Sequence, residues 1–432
     1  MLNFIIGRNN SGKTEKIRAL IAERASENKK CILIVPEQFS FESERSILEK
    51  IGAQKMLNVD ILSFTRLAFV INEQYGKALN KTIDDGTRKV LMSLSLEALS
   101  GKLEYFKRFS SKPALLSNLL TFVTELKQCA VTPDEIAEIS GKTGNKSLGK
   151  KLSELSLIAA SYDALVSRSF FDDENLLTIA ADMISETDFF DGKTVYFDAF
   201  CGFTKQERNC IKSILPKAEN VFISLCTDRD LSREGVSVFE NVNTEFSHLK
   251  ECAAEQNVGV SSPEILNVKE DGRSPELVYL EKYLCGEESE PYKEECDNIV
   301  VCAAGNRADE ADFVACEIKK LLRCNPTLRC RNIAVIERTA GTYDKELSES
   351  FKKYGVPMFE DKRRPIGIQP VMVFVKCLLA LCAEGFSTES FMRLLKTGLT
   401  ALSGDEISEL ENYAFLWNID GSKWRRDFTE NP

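Results

Sequence analysis

The chain has 432 residues, of which 43% are hydrophobic and 28% charged, and this composition excludes collagen-like and wholly disordered proteins. At about 150 residues per domain, the length predicts two to four domains. The 56 Lys and Arg against 66 Asp and Glu leave a net charge of −10. Generic attraction to nucleic acid or to an anionic membrane is therefore excluded as the main mode of action, and any polyanion site must be local.

Short apolar runs predict buried parallel strands, because helices cover both faces of such a sheet. The runs are LNFII, CILIVP, NVDIL, TVYFD, VFISLC, NIVV and NIAVIE, which begin at residues 2, 31, 58, 194, 221, 298 and 332. After the first run, apolar residues from Ile17 to Ala25 recur on one helical face. The pattern predicts an α/β fold that opens with a strand, a loop and a helix.

The pattern changes along the chain and predicts domain boundaries. Long amphipathic helices without strand-like runs fill about residues 80 to 190, and a polar stretch covers 228 to 297. We predict a first parallel-sheet domain over 1–290 with a helical insertion at about 80–190, and the start of a second domain over 291–365. A strand-like VPMFE lies in this second part, and 366–432 is a helical insertion that we expect to stop within a domain.

The cysteines and the ends of the chain bear on metal binding and location. None of the 14 cysteines forms a CxxC pair, and several lie in apolar runs, which favours buried thiols in a reducing cytosol. Cys324 and Cys330 share a polar context, but the single histidine, His248, is distant, so no zinc site is complete. The N-terminus lacks a basic signal region, and the longest apolar run, Val371 to Cys382, is short and contains Lys376. We expect a cytoplasmic protein without a membrane anchor.

Residues 7 to 14, GRNNSGKT, match the phosphate-loop pattern GxxxxGK[ST] and lie between a hydrophobic strand and an amphipathic helix. In such a loop the backbone N–H groups and the helix N-terminus face the phosphates, and the lysine adds a positive charge. The pattern predicts a P-loop NTPase that binds ATP, with the Thr14 hydroxyl offered to Mg²⁺. The nucleotide-binding candidates are Gly7, Asn9, Asn10, Ser11, Gly12, Lys13 and Thr14.

A second Mg²⁺ ligand should follow another buried strand, and TVYFD supplies Asp198 at that position. The alternative is an aspartate that only caps a turn. The next residue is Ala199, where hydrolysing helicases have a glutamate that positions the attacking water. The loss of such a base costs on the order of 10²–10⁴ in rate.

Five ordered segments beyond the phosphate loop carry a family resemblance. They are VPEQFSFESERSIL at 35–48, LSFTRLA at 62–68, FDAFCGFTKQE at 197–207, AGNRADEADFVACEI at 304–318 and IAVIERTAGTYDKEL at 333–347. Together they closely resemble the AddB subunits of bacterial AddAB helicase–nucleases, relatives of superfamily 1 helicases. The resemblance implies RecA-like domains with helical insertions. It also implies double-strand break processing for recombinational repair in a heterodimer with AddA, which at the level of the complex is an ATP-dependent helicase and deoxyribonuclease.

The resemblance also implies residue roles. Asp198 matches the acidic residue of the second helicase motif, and Arg338 matches an arginine that reaches the γ-phosphate; its alternative is a solvated side chain at a strand end. Contacts to single-stranded DNA fall on Phe39, Phe64, Thr65 and Arg66, although phenylalanines more often belong to the core. The family's iron–sulfur nuclease domain would lie C-terminal to this chain, in which no cluster-type cysteine spacing is found.

Some features depart from a working motor. No room precedes the phosphate loop for the usual glutamine-containing segment, and LCTDRD lacks the glutamine of a third motif. We therefore predict an ATP-binding subunit that is not an efficient motor by itself, and the resemblance implies that its partner does most of the translocation. The alternative is a DNA-reading scaffold with a vestigial nucleotide site, against which the intact GKT argues. Basic clusters at 142–151, 362–364 and 423–426 are further candidates for contacts with single- or double-stranded DNA.

Overall fold

A computed structural model of the chain describes residues 1–76, 83–107, 112–169, 173–228, 238–267, 272–283, 290–360 and 366–429. The chain divides into two compact units, Met1–Ile299 and Val300–Pro432. Within the described ranges, no helix combines the length and the apolar character needed to cross a membrane. The basic cluster predicted at 362–364 lies outside the described residues.

The first unit is built on a six-stranded parallel sheet in the order β3-β2-β4-β5-β1-β6. Its strands are β1 (Leu2–Gly7), β2 (Cys31–Ile34), β3 (Val59–Leu62), β4 (Thr194–Phe197), β5 (Asn220–Cys226) and β6 (Glu264–Ile265). Leu2 pairs with Val221 and Cys31 with Thr194, so the strands run in register and in the same direction. The predicted α/β fold is confirmed, and an all-parallel sheet is the arrangement expected of a RecA-like domain.

Helices connect these strands and cover both faces of the sheet. They are α1 (Lys13–Ser26), α2 (Ser40–Ile51), α3 (Ala53–Met56), α4 (Phe64–Tyr75), α5 (Asp85–Ala98), α6 (Pro113–Gln128), α7 (Pro133–Lys142), α8 (Lys146–Ser169), α9 (Asp173–Glu186), α10 (Lys205–Ile214), α11 (Glu240–Glu255) and α12 (Pro275–Tyr283). Helices α5 to α9 all fall between β3 and β4. Among them, α5, α6 and α8 share a hydrophobic core, separate from the cores beside the sheet, that includes Met92, Leu119 and Ile158.

Alternating side chains of β1 divide the interior into two layers. Phe4 and Ile6 enter the larger core, together with Leu67 of α4. Ile5 points the other way, into a core that includes Ile17 of α1 and Ile47 of α2. This alternation is the two-residue period of a strand, and covering both faces explains why the strands are apolar throughout. The shared core of Ile5 and Ile17 therefore positions α1, and the loop before it, next to β1.

The second unit contains the helices α13 (Arg307–Cys324), α14 (Asp344–Tyr354), α15 (Pro370–Glu384), α16 (Thr388–Leu395) and α17 (Gly404–Leu416). The strands predicted at NIVV, which spans the boundary between the units, and at NIAVIE and VPMFE are not formed among the described residues. A strand requires hydrogen-bonded neighbours. Here the apolar side chains of Val301, Ile336 and Phe359 are more than nine-tenths exposed, so these runs have no sheet to join.

The sequence missed β6. This strand has only two residues, Glu264 and Ile265, and lies inside the stretch that we predicted to be polar loop. It adds to the free edge of β1, where Ile5 pairs with Glu264. So short a strand leaves no two-residue hydrophobic period to detect.

Candidate functional site

The loop between β1 and α1 is organised around the amine of Lys13. Its Nζ donates hydrogen bonds to the backbone oxygens of Gly7, at 2.7 Å, and Arg8, at 2.8 Å. The amide of Ser11 donates to the same Arg8 oxygen at 3.3 Å. The loop thus closes on itself and places a positive charge at its centre, as a phosphate site requires.

The backbone of this loop depends on small residues. Asn10 and Gly12 adopt φ angles of 59° and 87°, in the left-handed region that glycine and asparagine tolerate best. A Cβ atom on Gly7 would collide with the Ser11 side chain and lie 2.8 Å from the Leu266 oxygen. The Asn9 side-chain oxygen accepts from the Asn10 amide at 3.0 Å. Glycine at position 7 is therefore a requirement of the loop's close packing.

The N-terminus of α1 has no side-chain cap, since its N-cap residue is Gly12. Several other helices of the chain are capped by side chains, which belong to Ser63, Asp84, Thr132, Thr204, Asn306, Ser387 and Ser403. Helices α2, α6, α11, α14 and α15 share the uncapped state of α1, but α1 alone among these begins at the lysine of the phosphate loop. The first turn of α1, with Thr14, therefore presents its amides to an external anion, and the helix dipole adds to the attraction.

Asp198 lies directly after β4 and is 5% exposed. Its amide donates to the Ile34 oxygen at 3.1 Å, and Ser224 Oγ donates to its Oδ1 atom at 2.5 Å. Because only β5 separates β4 from β1, and strands lie about 4.8 Å apart, Asp198 and the phosphate loop share one edge of the sheet about 10 Å apart. The sequence contained a signal for Ser224, a polar residue inside the apolar run VFISLC.

Ala199 follows Asp198, and the next acidic residue along the chain is Glu207. Ala199 is exposed and has a φ of 66°, an unfavourable angle for a residue with a Cβ atom. Glu207 instead forms a capping box at the start of α10, where its Oε2 accepts from the Thr204 amide at 2.7 Å. Burial raises the pKa of Glu207, and its place in the cap leaves it with a structural role.

The residues that the resemblance implies in DNA contact follow β2 and β3. They therefore lie at the carboxyl ends of the strands, as the phosphate loop does. Phe39 ends a short 3₁₀ helix after β2 and is 37% exposed. Thr65 and Arg66 lie in the first turn of α4, and both are exposed. Arg66 Nη1 is 3.2 Å from Glu44 Oε1. The side chains of Phe39, Thr65 and Arg66 are accessible to a ligand that crosses the carboxyl ends of β2 and β3.

Phe64 does not fit the stacking role that the resemblance implies. It is 6% exposed, and its ring lies 5.9 Å from that of Phe197, 5.5 Å from that of Phe200 and 6.1 Å from that of Phe203. A base needs a free ring face, and this ring is enclosed in an aromatic cluster of the core. Phe64 is therefore a core residue, the alternative that the sequence had left open.

Two further predictions concern the other unit and metals. Arg338 belongs to the second unit and is exposed. Among the residues that the structure describes, no group of three or more His, Cys, Asp or Glu side chains could hold a metal ion. Cys324 is exposed and Cys330 partly buried, with no further ligand beside them in that part of the chain.

Some basic residues of the predicted clusters already have partners. Lys142 pairs with Glu138 at 3.4 Å and Lys150 with Glu104 at 2.9 Å. In the last cluster, Lys423 Nζ donates to the Asn418 oxygen at 2.9 Å. These contacts reduce the charge that the clusters offer to a phosphate backbone.

Comparison with known proteins gives the family of this chain. A family model described as "ADDB, N-terminal" matches residues 4–281. The chain belongs to this family. The matched AddB N-terminal region includes the phosphate loop, Asp198 and most of the six-stranded sheet.

Curated relatives extend the similarity beyond the matched region. Their names describe them as the B-type subunits of ATP-dependent helicase/deoxyribonucleases. The relative in Clostridium novyi (strain NT) is 32% identical over 97% of this chain, and the one in Acetivibrio thermocellus is 31% identical over 98%. The corresponding protein of Clostridium tetani is 31% identical over 98%. The chain spans only 37% to 38% of the length of these AddB relatives.

Proposed function

We propose that this chain is the nucleotide-binding N-terminal part of an AddB-type subunit in an ATP-dependent helicase–deoxyribonuclease that processes DNA breaks for repair. The observation that carries the proposal is the loop around Lys13 with the uncapped N-terminus of α1, since both favour a polyphosphate. Membership of the AddB N-terminal family supports the wider role.

The residues present fit ATP with Mg²⁺. Lys13 would contact the β- and γ-phosphates, and Thr14 and Asp198 would hold the metal ion, which neutralises phosphate charge when bound. The loop residues Gly7 to Gly12 would enclose the phosphates with their amides. Asp198 is already held in place by Ser224, so little ordering is needed on binding.

The same site is poorly equipped for rapid hydrolysis. Ala199 offers no general base, and Glu207 is occupied in its capping box. We therefore propose that nucleotide binding here serves regulation or assembly, and that an AddA-type partner supplies the translocation. The role of Arg338 towards the γ-phosphate stays a prediction that depends on that complete assembly. Such an assembly would work on chromosomal DNA, in the cytoplasm.

Single-stranded DNA is the proposed ligand of the neighbouring part of the sheet edge. Phe39 would stack on a base, while Thr65 and Arg66 would contact the backbone. The exposure of these three side chains supports the proposal. A nucleotide at β1 and a DNA strand at β2 and β3 would then lie along one edge of one sheet, with Asp198 between them.

The second unit is proposed to be the start of another RecA-like domain. Three strand-like runs, 298–301 at its beginning and 332–337 and 356–360 within it, are mostly exposed, with Val356 buried, and are apolar in the manner of buried strands. The curated relatives are much longer than this chain, and we propose that their further length would supply strands with which these runs could pair. An iron–sulfur cluster is expected only in that further region.

Nucleotide affinity of the Lys13→Ala variant tests the proposal. We expect a fluorescent ATP analogue to bind the parent chain in the presence of Mg²⁺ and to bind the variant at least about tenfold more weakly, because a charge-assisted phosphate contact is lost. Lys16→Ala is the control. Lys16 also lies near the start of α1, but its amine pairs with Glu264 of β6 at 2.7 Å. Equal binding by the parent and the Lys13 variant would contradict the assignment, and absence of binding by the parent would favour the scaffold alternative.

A further inference from the structure

Arg8, the second residue of the phosphate loop, connects the loop to α12. Its Nε atom lies 2.9 Å from Oε1 of Glu281, and its Nη2 donates to the Glu281 backbone oxygen at 2.6 Å. The guanidinium also lies 5.6 Å from the centre of the Phe239 ring. Side chain and main chain of Glu281 are thus both held by one guanidinium. We call this pair of residues the Arg8–Glu281 clasp.

The clasp binds the last described turn of a helix. Glu281 lies in that turn of α12 (Pro275–Tyr283), and its backbone oxygen accepts from the Arg8 guanidinium. A cation near this end of a helix interacts favourably with the helix dipole. The C-terminal end of α12 is therefore stabilised by a residue of the phosphate loop, 273 positions earlier in the chain.

Helix α12 is joined in turn to the segment 290–298. The ring of Tyr279 lies 5.0 Å from that of Tyr292 in a tilted contact, and its hydroxyl donates to the Glu290 oxygen. At the start of the helix, Glu276 Oε1 accepts from Asn298 Nδ2 at 2.8 Å. This segment leads along the chain into the second unit, whose first residue is Val300. A continuous set of contacts thus runs from the phosphate loop to the chain that precedes the second unit.

A guanidinium pairs equally well with a carboxylate and with a phosphate. The Arg8 backbone oxygen already accepts from Lys13 at 2.8 Å, which places Arg8 in the part of the loop that would enclose phosphates. Both clasp side chains retain about a quarter of their exposure, which leaves part of each open to a second ligand, although the Nε atom of Arg8 itself is buried.

We propose that nucleotide phosphates and the Glu281 carboxylate compete for the Arg8 guanidinium, so that nucleotide binding releases the end of α12. This inference rests on the proposed nucleotide site. By thermodynamic linkage, a contact that nucleotide breaks must also oppose nucleotide binding. Removing the carboxylate should then tighten binding and loosen α12, even without nucleotide.

The affinity of Glu281→Gln for a fluorescent ATP analogue with Mg²⁺ tests the competition. We expect binding about three- to fivefold tighter than that of the parent chain, the range of a partly exposed ion pair. The gain should vanish when Arg8 is also changed to Ala, because it acts through the guanidinium. Glu219→Gln is the matched control. Glu219 pairs with Arg24 at 2.5 Å, at the amino ends of the strands and away from the phosphate loop. Loss of this ion pair should leave nucleotide affinity unchanged.

Hydrogen exchange supplies a readout that is independent of affinity. In the parent chain, nucleotide should increase amide exchange in α12 by about threefold, whereas in Glu281→Gln exchange should already be raised without nucleotide. Unchanged or weaker nucleotide binding by Glu281→Gln, or a gain that persists in the Arg8→Ala background, would overturn the competition alone. If the parent chain bound no nucleotide, the nucleotide site and the competition would both fall.

Discussion

Ser224 Oγ donates a hydrogen bond of 2.5 Å to the Asp198 carboxylate, which joins β5 to the end of β4 at the candidate magnesium site. The carboxylate is thereby held in a buried position at the carboxyl ends of the strands, where the phosphate loop also begins. A turn-capping aspartate would need no such partner in the neighbouring strand. The arrangement leads directly to the first prediction.

Asp198→Asn should abolish most of the Mg²⁺ dependence of nucleotide binding, because the amide keeps the size of the side chain but loses the charge that attracts the cation. Titration of Mg²⁺ at a fixed concentration of a fluorescent ATP analogue measures this. Ser224→Ala keeps the charge and loses only the hydrogen bond, so it should change the titration less and cost about 1 kcal/mol of stability. An unchanged titration in Asp198→Asn would make this residue purely structural.

Ala199→Gly should stabilise the chain by about 0.5–1 kcal/mol, because Ala199 has a φ of 66° and a Cβ atom makes that conformation unfavourable. The greater freedom of glycine in the unfolded chain offsets part of the gain. Urea unfolding followed by far-UV circular dichroism gives the difference. A midpoint lower than that of the parent chain would show that the methyl group makes contacts that outweigh the strain.

Arg66→Ala should weaken binding to single-stranded DNA and reduce its salt dependence by about one counterion. The side chain is exposed, and its contact with Glu44 at 3.2 Å is at the surface, so losing it should not disturb the fold. Fluorescence anisotropy with a labelled oligonucleotide at several salt concentrations measures both effects. Lys29→Ala, which removes an exposed cation before β2 at the opposite edge, is the control. Equal losses in the two variants would indicate a general charge effect and no specific DNA path.

Glu276 should make the stability of the first unit depend on pH in the acid range. The hydrogen bond from Asn298, with others from the backbone, lowers the pKa of Glu276 to about 2. Since this pKa lies below the unfolded value of about 4.3, the stabilisation is complete above that value and is lost as the pH falls towards 2. Urea midpoints measured between pH 5 and pH 2 should fall less steeply in Glu276→Gln than in the parent chain. Parallel curves would show that Glu276 is not responsible.

The sequence predicted the strands of the first unit well because burial on both faces leaves a continuous apolar run. The same criterion failed at 298–301, 332–337 and 356–360, where the runs are apolar but have no hydrogen-bonded neighbours among the described residues. The hydrophobicity of a segment indicates whether its side chains favour a buried environment. Pairing depends on other strands, so the pattern alone could not show whether the sheet is present.

The candidate site was predictable where the chemistry fixes the residue type. Lys13 and Gly12 carry the phosphate-loop pattern, and Asp198 follows a recognisable strand. Phe64 was ambiguous, because an aromatic residue in a DNA-contacting motif and one in a core look alike in sequence. The ion pair between Arg8 and Glu281 could not be predicted from the sequence. The phosphate-loop pattern allows any residue at its second position, and the two residues are close only in the folded chain.

The central claim is that this chain holds a nucleotide site built for binding more than for turnover. Equilibrium binding of a fluorescent ATP analogue with Mg²⁺, with phosphate release from ATP followed on the same preparation, tests it most directly, with and without single-stranded DNA. We predict saturable, Mg²⁺-dependent binding and no stimulation of phosphate release by DNA. Rapid, DNA-stimulated release of phosphate would contradict the account. Another carboxylate would then have to do the work of the glutamate that is absent at position 199, where the chain has Ala199.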